Sequence, residues 1–167
     1  MKKIVSLILI AVLCLSFASC GNSQGKKIGT ATLLISAENA TYNRDILSQT
    51  ARDVVPTDGI ILNELSFDVY EKESCYQAIK RVLQDMKMQV EFVGDQDSPS
   101  AYIKGLNNLY EKDAGDQSGW FYSVNNVLPS VGMNHYYLKD GDSVRIDYSL
   151  NYGEDLLHFL EWEPWEE

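Results

Sequence analysis

Residues able to support acid–base, metal or nucleophilic chemistry are few and widely spaced in this chain. The two histidines, His135 and His158, lack the His-Glu-x-x-His or paired-cysteine spacing of a zinc site. No Gly-x-Ser-x-Gly elbow, Walker loop or dinucleotide-type glycine pattern follows a predicted strand. A nucleophile, a base and an orienting group cannot be assembled from these motifs. The sequence therefore predicts a protein that is not an enzyme and requires no cofactor.

Closely spaced carboxylates are the other residues that could bind a cation. They form three pairs: Asp95/Asp97, Asp113/Asp116 and Asp140/Asp142. The twelve-residue calcium-loop spacing is absent, and the last pair brackets a glycine, where turn chemistry explains both side chains better. A carboxylate pair for sugar hydrolysis is defined by a distance in space, which the sequence leaves open. We predict no metal site.

A central stretch rich in aromatic and amide side chains is more informative. Residues 102–111 read YIKGLNNLYE, residues 118–126 read SGWFYSVNN, and residues 137–142 read YLKDGD. This order and spacing resemble the transcobalamin C-terminal-like family, also called DUF4430, and the likeness extends over roughly residues 33–155. The chain departs from the family pattern at Asn126, where Gly is common, and at Ala114, where some relatives carry Cys.

The resemblance implies a β-grasp fold of the soluble-ligand-binding kind and a site near one loop. Residues 125–133 align with the part of the cobalamin carriers that touches the corrin ligand. The implied ligand-binding residues are Trp120, Tyr122, Leu128 and Val131 for apolar contact, with Asn125 and Asn126 for amide hydrogen bonds. In the carriers a large helical domain closes the site, so here a protein partner or a second copy would have to complete it. The alternative for Trp120 is burial in the core, because Trp120, Tyr122 and Val124 share one face of a strand.

The elements that would position these residues begin with a strand pair and a helix. Residues 30–36 are β-prone, residues 39–53 form a loop or short helix, and residues 54–59 carry a turn signal before the alternation around Phe67. Ser74 and Gln77 have capping-box spacing. The helix behind them has an apolar stripe: Cys75, Ile79, Val82, Leu83 and Met86. Cys75 thus reads as a small buried hydrophobe and not as a reactive thiol.

Further strands are predicted around Val90 and Phe92 and over residues 120–124, 135–138 and 143–149, the last two joined by an Asp-Gly turn. A strand pair, one helix and more strands indicate an α+β fold, a β-grasp-like mixed sheet packed on one main helix. We assign this domain to residues 29–155. An acidic aromatic tail, residues 156–167, either docks on it or stays mobile.

The N-terminus reads as an export signal. Residues 1–19 combine Lys2 and Lys3 with an apolar run too short for a comfortable membrane span, and they precede Cys20 in a lipobox-like setting. Lipidation of Cys20 would anchor the chain at the outer face of the bacterial cell membrane or in the envelope, with residues 20–28 as a tether. The alternative is ordinary cleavage and release. Cys75 is then the one cysteine left for pairing, so no internal disulfide can form.

The formal charge of −10 disfavours nucleic acid as a partner. The sequence thus predicts a membrane-tethered extracytoplasmic binding module, with cobalamin or another corrinoid as the ligand that the resemblance suggests. The alternative is a surface protein-interaction or assembly domain without a small-molecule ligand. Its adhesive positions would be exposed aromatic residues: Tyr102, Tyr110, Tyr136, Trp162 and Trp165.

Overall fold

Two β-sheets and one main helix organise the part of the chain that the computed structural model describes, residues 25–42 and 44–163. The predicted signal peptide, Cys20 and Trp165 lie outside these residues. The strands are β1 Lys27–Ser36, β2 Ile60–Tyr70, β3 Val90–Val93, β4 Tyr102–Leu106, β5 Leu109–Tyr110, β6 Gly119–Val124, β7 Val127–Leu128, β8 Ser143–Ser149 and β9 Glu161–Trp162. The main helix is Cys75–Asp85, and two shorter helices are Glu38–Thr41 and Gln49–Val54. Short 3₁₀ turns span Arg44–Ile46 and Glu154–Leu156.

The larger sheet has the strand order β2-β1-β8-β6-β7-β9, and the smaller sheet has the order β3-β4-β5. In the larger sheet β1 lies parallel to β8, whereas β1 pairs antiparallel with β2 and β8 pairs antiparallel with β6. The parallel register places Leu33 beside Val144 and Ile35 beside Ile146, and all four side chains are buried. A first hairpin, a helix and a late strand that returns beside β1 confirm the predicted α+β, β-grasp-like order.

The main helix begins as the sequence predicts. The Ser74 hydroxyl accepts a hydrogen bond from the Gln77 backbone N–H at 3.3 Å, and the Gln77 side-chain oxygen accepts one from the Ser74 backbone N–H at 3.0 Å. The apolar stripe from Cys75 to Leu83 is buried against the sheet. Met86 is an exception, because it is the C-cap residue and its side chain is exposed.

Residues 135–138 do not form the predicted strand, and their pairing is limited to a single bridge between Tyr137 and Ser74. Their backbone serves the main helix instead. The Cys75 N–H donates to the Tyr136 carbonyl at 2.7 Å, and the Tyr76 N–H donates to the Met133 carbonyl at 3.0 Å. First-turn helix N–H groups lack partners within the helix, so this segment satisfies them rather than extending a sheet.

The β4–β5 hairpin was not predicted from the sequence. Its two-residue turn is Asn107 and Asn108, whose φ angles of 50° and 61° suit a tight hairpin turn. Gly105 permits the pairing, because a Cβ there would lie 2.4 Å from the Tyr110 ring.

The described part of the acidic aromatic tail docks on the domain. Leu156 and Leu160 are buried together with Leu128, and β9 pairs in parallel with β7 at the sheet edge. Within the two described ranges, no helix is both long and apolar enough to cross a bilayer.

Candidate functional site

The loop at residues 125–133 begins in a two-residue turn between β6 and β7. Asn125 and Asn126 have φ angles of 54° and 66°, so Asn126 takes the left-handed conformation that the glycine usual in the family adopts readily. The Asn125 side-chain N–H donates to the Asp142 carboxylate at 2.9 Å, and its oxygen accepts from the Ser143 N–H at 2.9 Å. The predicted ligand-binding amide of Asn125 therefore ties this turn to the Asp-Gly turn before β8.

The outer part of the same loop is held from two sides. The Tyr122 hydroxyl donates to the Val131 carbonyl at 2.6 Å. The Glu163 carboxylate accepts from both the backbone N–H and the hydroxyl of Ser130, each at 2.7 Å. These two hydrogen bonds lower the pKa of Glu163. Strand β6 and the C-terminal tail thus fix the loop together, and the tail contact was not foreseen from the sequence.

Two of the predicted contact residues are interior. Trp120 is only 6% exposed, donates its indole N–H to the Leu109 carbonyl at 2.9 Å, and lies edge-on to Tyr148 with ring centroids 5.0 Å apart. Leu128 is buried in the small cluster under the tail. Trp120 is therefore a core residue, which was the alternative to ligand contact in the sequence analysis. Neither Trp120 nor Leu128 lies on the surface of the loop.

The remaining predicted residues are closer to solvent. Val131 is exposed, Asn126 is exposed, and Tyr122 is half-buried beneath the loop. Among the described residues the Asn126 side-chain amide has no hydrogen-bond partner, although its backbone carbonyl accepts from the Glu161 N–H at 2.9 Å. The structure brings Tyr122 and Val131 into contact and places Asn126 at the other end of the loop.

A tyrosine pair extends the site toward the main helix. The Tyr122 and Tyr136 rings meet edge to face with centroids 6.3 Å apart, and Tyr137 next along the chain is exposed. Burial raises the pKa of both paired phenols, so each stays protonated and can donate a hydrogen bond. The adjacent tyrosines at positions 136 and 137 are a sequence signal for this aromatic pair. Because residues 135–138 were predicted to form a strand, Tyr136 was not expected to lie beside Tyr122.

A buried polar network supports the end of the loop. Asn134 is fully buried; its side-chain oxygen accepts from the Ala101 N–H at 2.8 Å and its amide donates to the Ser98 carbonyl at 2.7 Å. Gln96 donates to the Asn134 backbone carbonyl at 2.9 Å and also contacts the Ser74 hydroxyl at the helix cap. The loop, the polar turn at residues 94–100 and the helix N-terminus are therefore fixed to one another.

Comparison with known protein families identifies this region. Residues 77–149 match the family model described as "Domain of unknown function (DUF4430)". Residues 77–149 form a DUF4430 domain. The match runs from the first turn of the main helix to the end of β8 and contains the whole loop. The family assignment made from the sequence is confirmed, while β1 and β2 lie outside the matched residues.

Solved structures similar to the chain are distant in sequence. A "putative metal binding protein" from Ruminococcus gnavus ATCC 29149 is 11% identical, with 72% of this chain and 96% of that chain covered and a TM-score of 0.43. Haptocorrin in complex with Cbi is 12% identical, with 78% of this chain covered and a TM-score of 0.46; the chain spans 28% of the haptocorrin chain. No curated protein matches the sequence.

The other candidates for chemistry lie apart from the loop or serve turns. The Asp95 carboxylate accepts from the Asp97 N–H and the Ser98 hydroxyl, and the Asp113 carboxylate accepts from the Tyr110 N–H. Burial raises the pKa of the Cys75 thiol. Across residues 25–42 and 44–163, no group of three or more His, Cys, Asp or Glu side chains is arranged to hold a metal ion.

Proposed function

We propose that the chain is an exported binding module, tethered to the membrane through Cys20, that holds a small molecule against residues 125–133 without catalysis. The observation that carries this proposal is the bracing of the loop at three places. Asn125 is bonded to the Asp142 turn, Val131 to Tyr122, and Ser130 to Glu163. A binding surface that is already ordered loses little conformational entropy when its ligand arrives.

The loop offers two kinds of contact, one at each end. Val131 offers apolar surface, and the unpaired Asn126 side chain offers an amide donor and acceptor. Apolar surface with a few fixed polar groups is typical of small-molecule sites.

The ligand that we propose is a corrinoid such as cobalamin. The support is the resemblance of residues 102–142 to the transcobalamin C-terminal-like family together with the DUF4430 match. A corrinoid is rimmed by amides, which the amide of Asn126 can meet. One small domain covers one side of so large a ligand, so we propose that a protein partner or a second copy supplies the other wall.

A surface protein-interaction domain is the second candidate. Three exposed apolar side chains favour it: Val131, Tyr137 and Trp162. Trp162 lies in β9, the last strand of the larger sheet among the described residues, and a sheet edge can pair with another chain. Exposed aromatic residues are also common anchors in protein interfaces.

A titration with matched variants separates these functions. The purified chain is titrated by calorimetry with cobalamin and with a corrinoid that lacks the lower ligand. We expect saturable binding that is lost in Val131→Asp and weakened in Asn126→Gly, which keeps the turn but removes the amide. Val93→Asp is the control, because Val93 is 39% exposed against 43% for Val131 but lies in β3 of the smaller sheet.

The outcomes decide between the candidates. Binding that disappears in the loop variants and persists in Val93→Asp supports the proposed site. Absence of binding up to about 1 mM corrinoid, a free energy near −4 kcal/mol, would contradict a corrinoid carrier and favour the interaction domain. Equal loss of binding in Val131→Asp and Val93→Asp would also contradict the proposed site.

A further inference from the structure

A concave surface lies on the face of the larger sheet opposite the main helix. Along β8, Val144 and Ile146 are buried in the core beneath the helix, so Arg145 and Asp147, which alternate with them, project to the other face. Over these two residues lies a groove of about 390 Å³. Small-molecule sites have volumes of roughly 300–1,000 Å³, so the groove is large enough to hold one.

The floor of the groove is a charged pair held in one geometry. The Arg145 guanidinium donates two hydrogen bonds to the Asp147 carboxylate, at 3.1 Å from Nε and 2.8 Å from Nη2. The side chain of Asp147 is only 5% exposed. The second terminal nitrogen of Arg145, Nη1, finds no acceptor among the described residues, so the floor presents free N–H groups.

The walls are also fixed before any ligand arrives. On one side the Asn39 amide donates to the Asp155 carboxylate at 3.0 Å, and the Leu150 N–H donates to the same carboxylate at 2.8 Å. On the other side the centroid of the Phe159 ring lies 4.8 Å from the guanidinium carbon of Arg145. The short helix Glu38–Thr41 and the tail therefore stand over β8 in a defined arrangement.

Two further polar side chains lie on or beside this face, Ser123 within the sheet and Glu38 at the groove. Ser123, the neighbour of Arg145 on β6, buries a hydroxyl that has no hydrogen-bond partner among the described residues. Glu38 adds a carboxylate to the groove lining. Buried and half-buried polar groups destabilise a fold unless they are paired, so such a concentration points to a binding role.

The mixture of groups selects the class of ligand. Two carboxylates, Glu38 and Asp147, disfavour an anion, while the guanidinium of Arg145 disfavours a cation. Hydroxyl groups can both accept from the guanidinium and donate to the carboxylates. Two aromatic side chains line the groove, Tyr42 at 82% exposure and the exposed Phe159, and their faces suit the C–H face of a sugar ring.

We infer that this groove binds a neutral saccharide, with a pyranose ring packed on Tyr42 and Phe159 and its hydroxyls hydrogen-bonded to the Arg145–Asp147 pair and Glu38. The loop contact proposed above uses Val131 and Asn126, whereas this groove is centred on the Arg145–Asp147 pair. Asn126 is the one loop residue that also lines the groove. The inference does not depend on a corrinoid ligand, and each can fail without the other.

Saturation-transfer NMR tests the inference on the full purified chain in a detergent without a sugar headgroup. The probes are maltose, cellobiose and N-acetylglucosamine, with sorbitol as an open-chain polyol and gluconate as an anion. We expect saturation of ring protons for at least one pyranose and none for sorbitol or gluconate. The signal should fall at least fivefold in both Tyr42→Ala and Phe159→Ala. Tyr42→Ala removes a ring that is 82% exposed, whereas Phe159→Ala also removes the ring that packs on the Arg145 guanidinium.

Tyr102→Ala serves as the control, because Tyr102 is an exposed tyrosine of β4 in the smaller sheet and does not line the groove. It should leave the signal unchanged, and circular dichroism should show all three variants folded. The inference is overturned by any of three results. The first is no saturation transfer to any pyranose at concentrations up to about 10 mM, which is tenfold above a dissociation constant of roughly 1 mM. The second is equal transfer to sorbitol or gluconate. The third is loss of the signal in Tyr102→Ala as well.

Discussion

Replacing Trp120 by Ala tests whether this side chain belongs to the core or to a ligand contact. Trp120 is 6% exposed, donates to the Leu109 carbonyl and packs on Tyr148. Truncation of a buried Trp to Ala costs about 3–5 kcal/mol, and here it also leaves the Leu109 carbonyl without its donor. We therefore expect a loss near 4 kcal/mol, a large share of the roughly 5–15 kcal/mol that stabilises a typical domain.

Urea unfolding followed by far-ultraviolet circular dichroism measures the change without relying on tryptophan fluorescence. At about 4 °C per kcal/mol for a domain of this size, the thermal midpoint should fall by roughly 15 °C. Trp162→Ala is the matched control, because Trp162 is 43% exposed and meets Phe121 at a centroid distance of 6.4 Å. It should cost about 1 kcal/mol or less.

A loss below about 1 kcal/mol for Trp120→Ala, or equal losses for the two variants, would refute the assignment of Trp120 to the core. If the larger loss is found, a ligand-binding defect in Trp120→Ala would report damage to the fold. Binding experiments must then rely on surface positions such as Val131.

Three further predictions concern the loop and the main helix. Tyr122→Phe removes the hydrogen bond to the Val131 carbonyl and should cost about 1 kcal/mol in urea unfolding. Amide exchange should become faster at residues 130–133 alone, and unchanged exchange there would contradict bracing by Tyr122. Because the folded state lowers the pKa of Glu163, its contact with Ser130 should stabilise the protein at neutral pH and weaken as acidification protonates Glu163; a Ser130 amide resonance that does not respond as the pH falls below about 4 would contradict this. Cys75 is fully buried with a raised pKa, so peptide mapping should find it alkylated by iodoacetamide only in denaturant, and modification of the native protein at neutral pH would contradict its burial.

The parts of the fold that follow local rules were predictable from the sequence. The capping box at Ser74 and the stripe from Cys75 to Leu83 depend on residues within three or four positions of one another, and both are present. Residues 135–138 were predicted wrongly because their β-prone composition is local while their partners, the N–H groups of Cys75 and Tyr76, are distant in sequence. Tertiary contacts of this kind override strand propensity.

The candidate site was predictable only in outline. Alternation along β6 indicated that Trp120, Tyr122 and Val124 share a face, but it could not tell which face the helix covers. Asn125 was proposed as a ligand contact, yet its amide is bonded to Asp142 and Ser143 across the turn. Ser130 and Glu163 are 33 residues apart in sequence, and no periodic pattern of side chains predicts their hydrogen bond.

Residue-by-residue mapping of ligand contact tests the central claim, that residues 125–133 form a preformed binding surface. Cobalamin is added to the ¹⁵N-labelled chain, and backbone amide shifts are followed by NMR. We expect saturable shift changes centred on Asn126, Ser130 and Val131, with the amide resonances of the smaller sheet unchanged. No change at cobalamin concentrations up to about 1 mM, or changes confined to residues outside the loop, would contradict it.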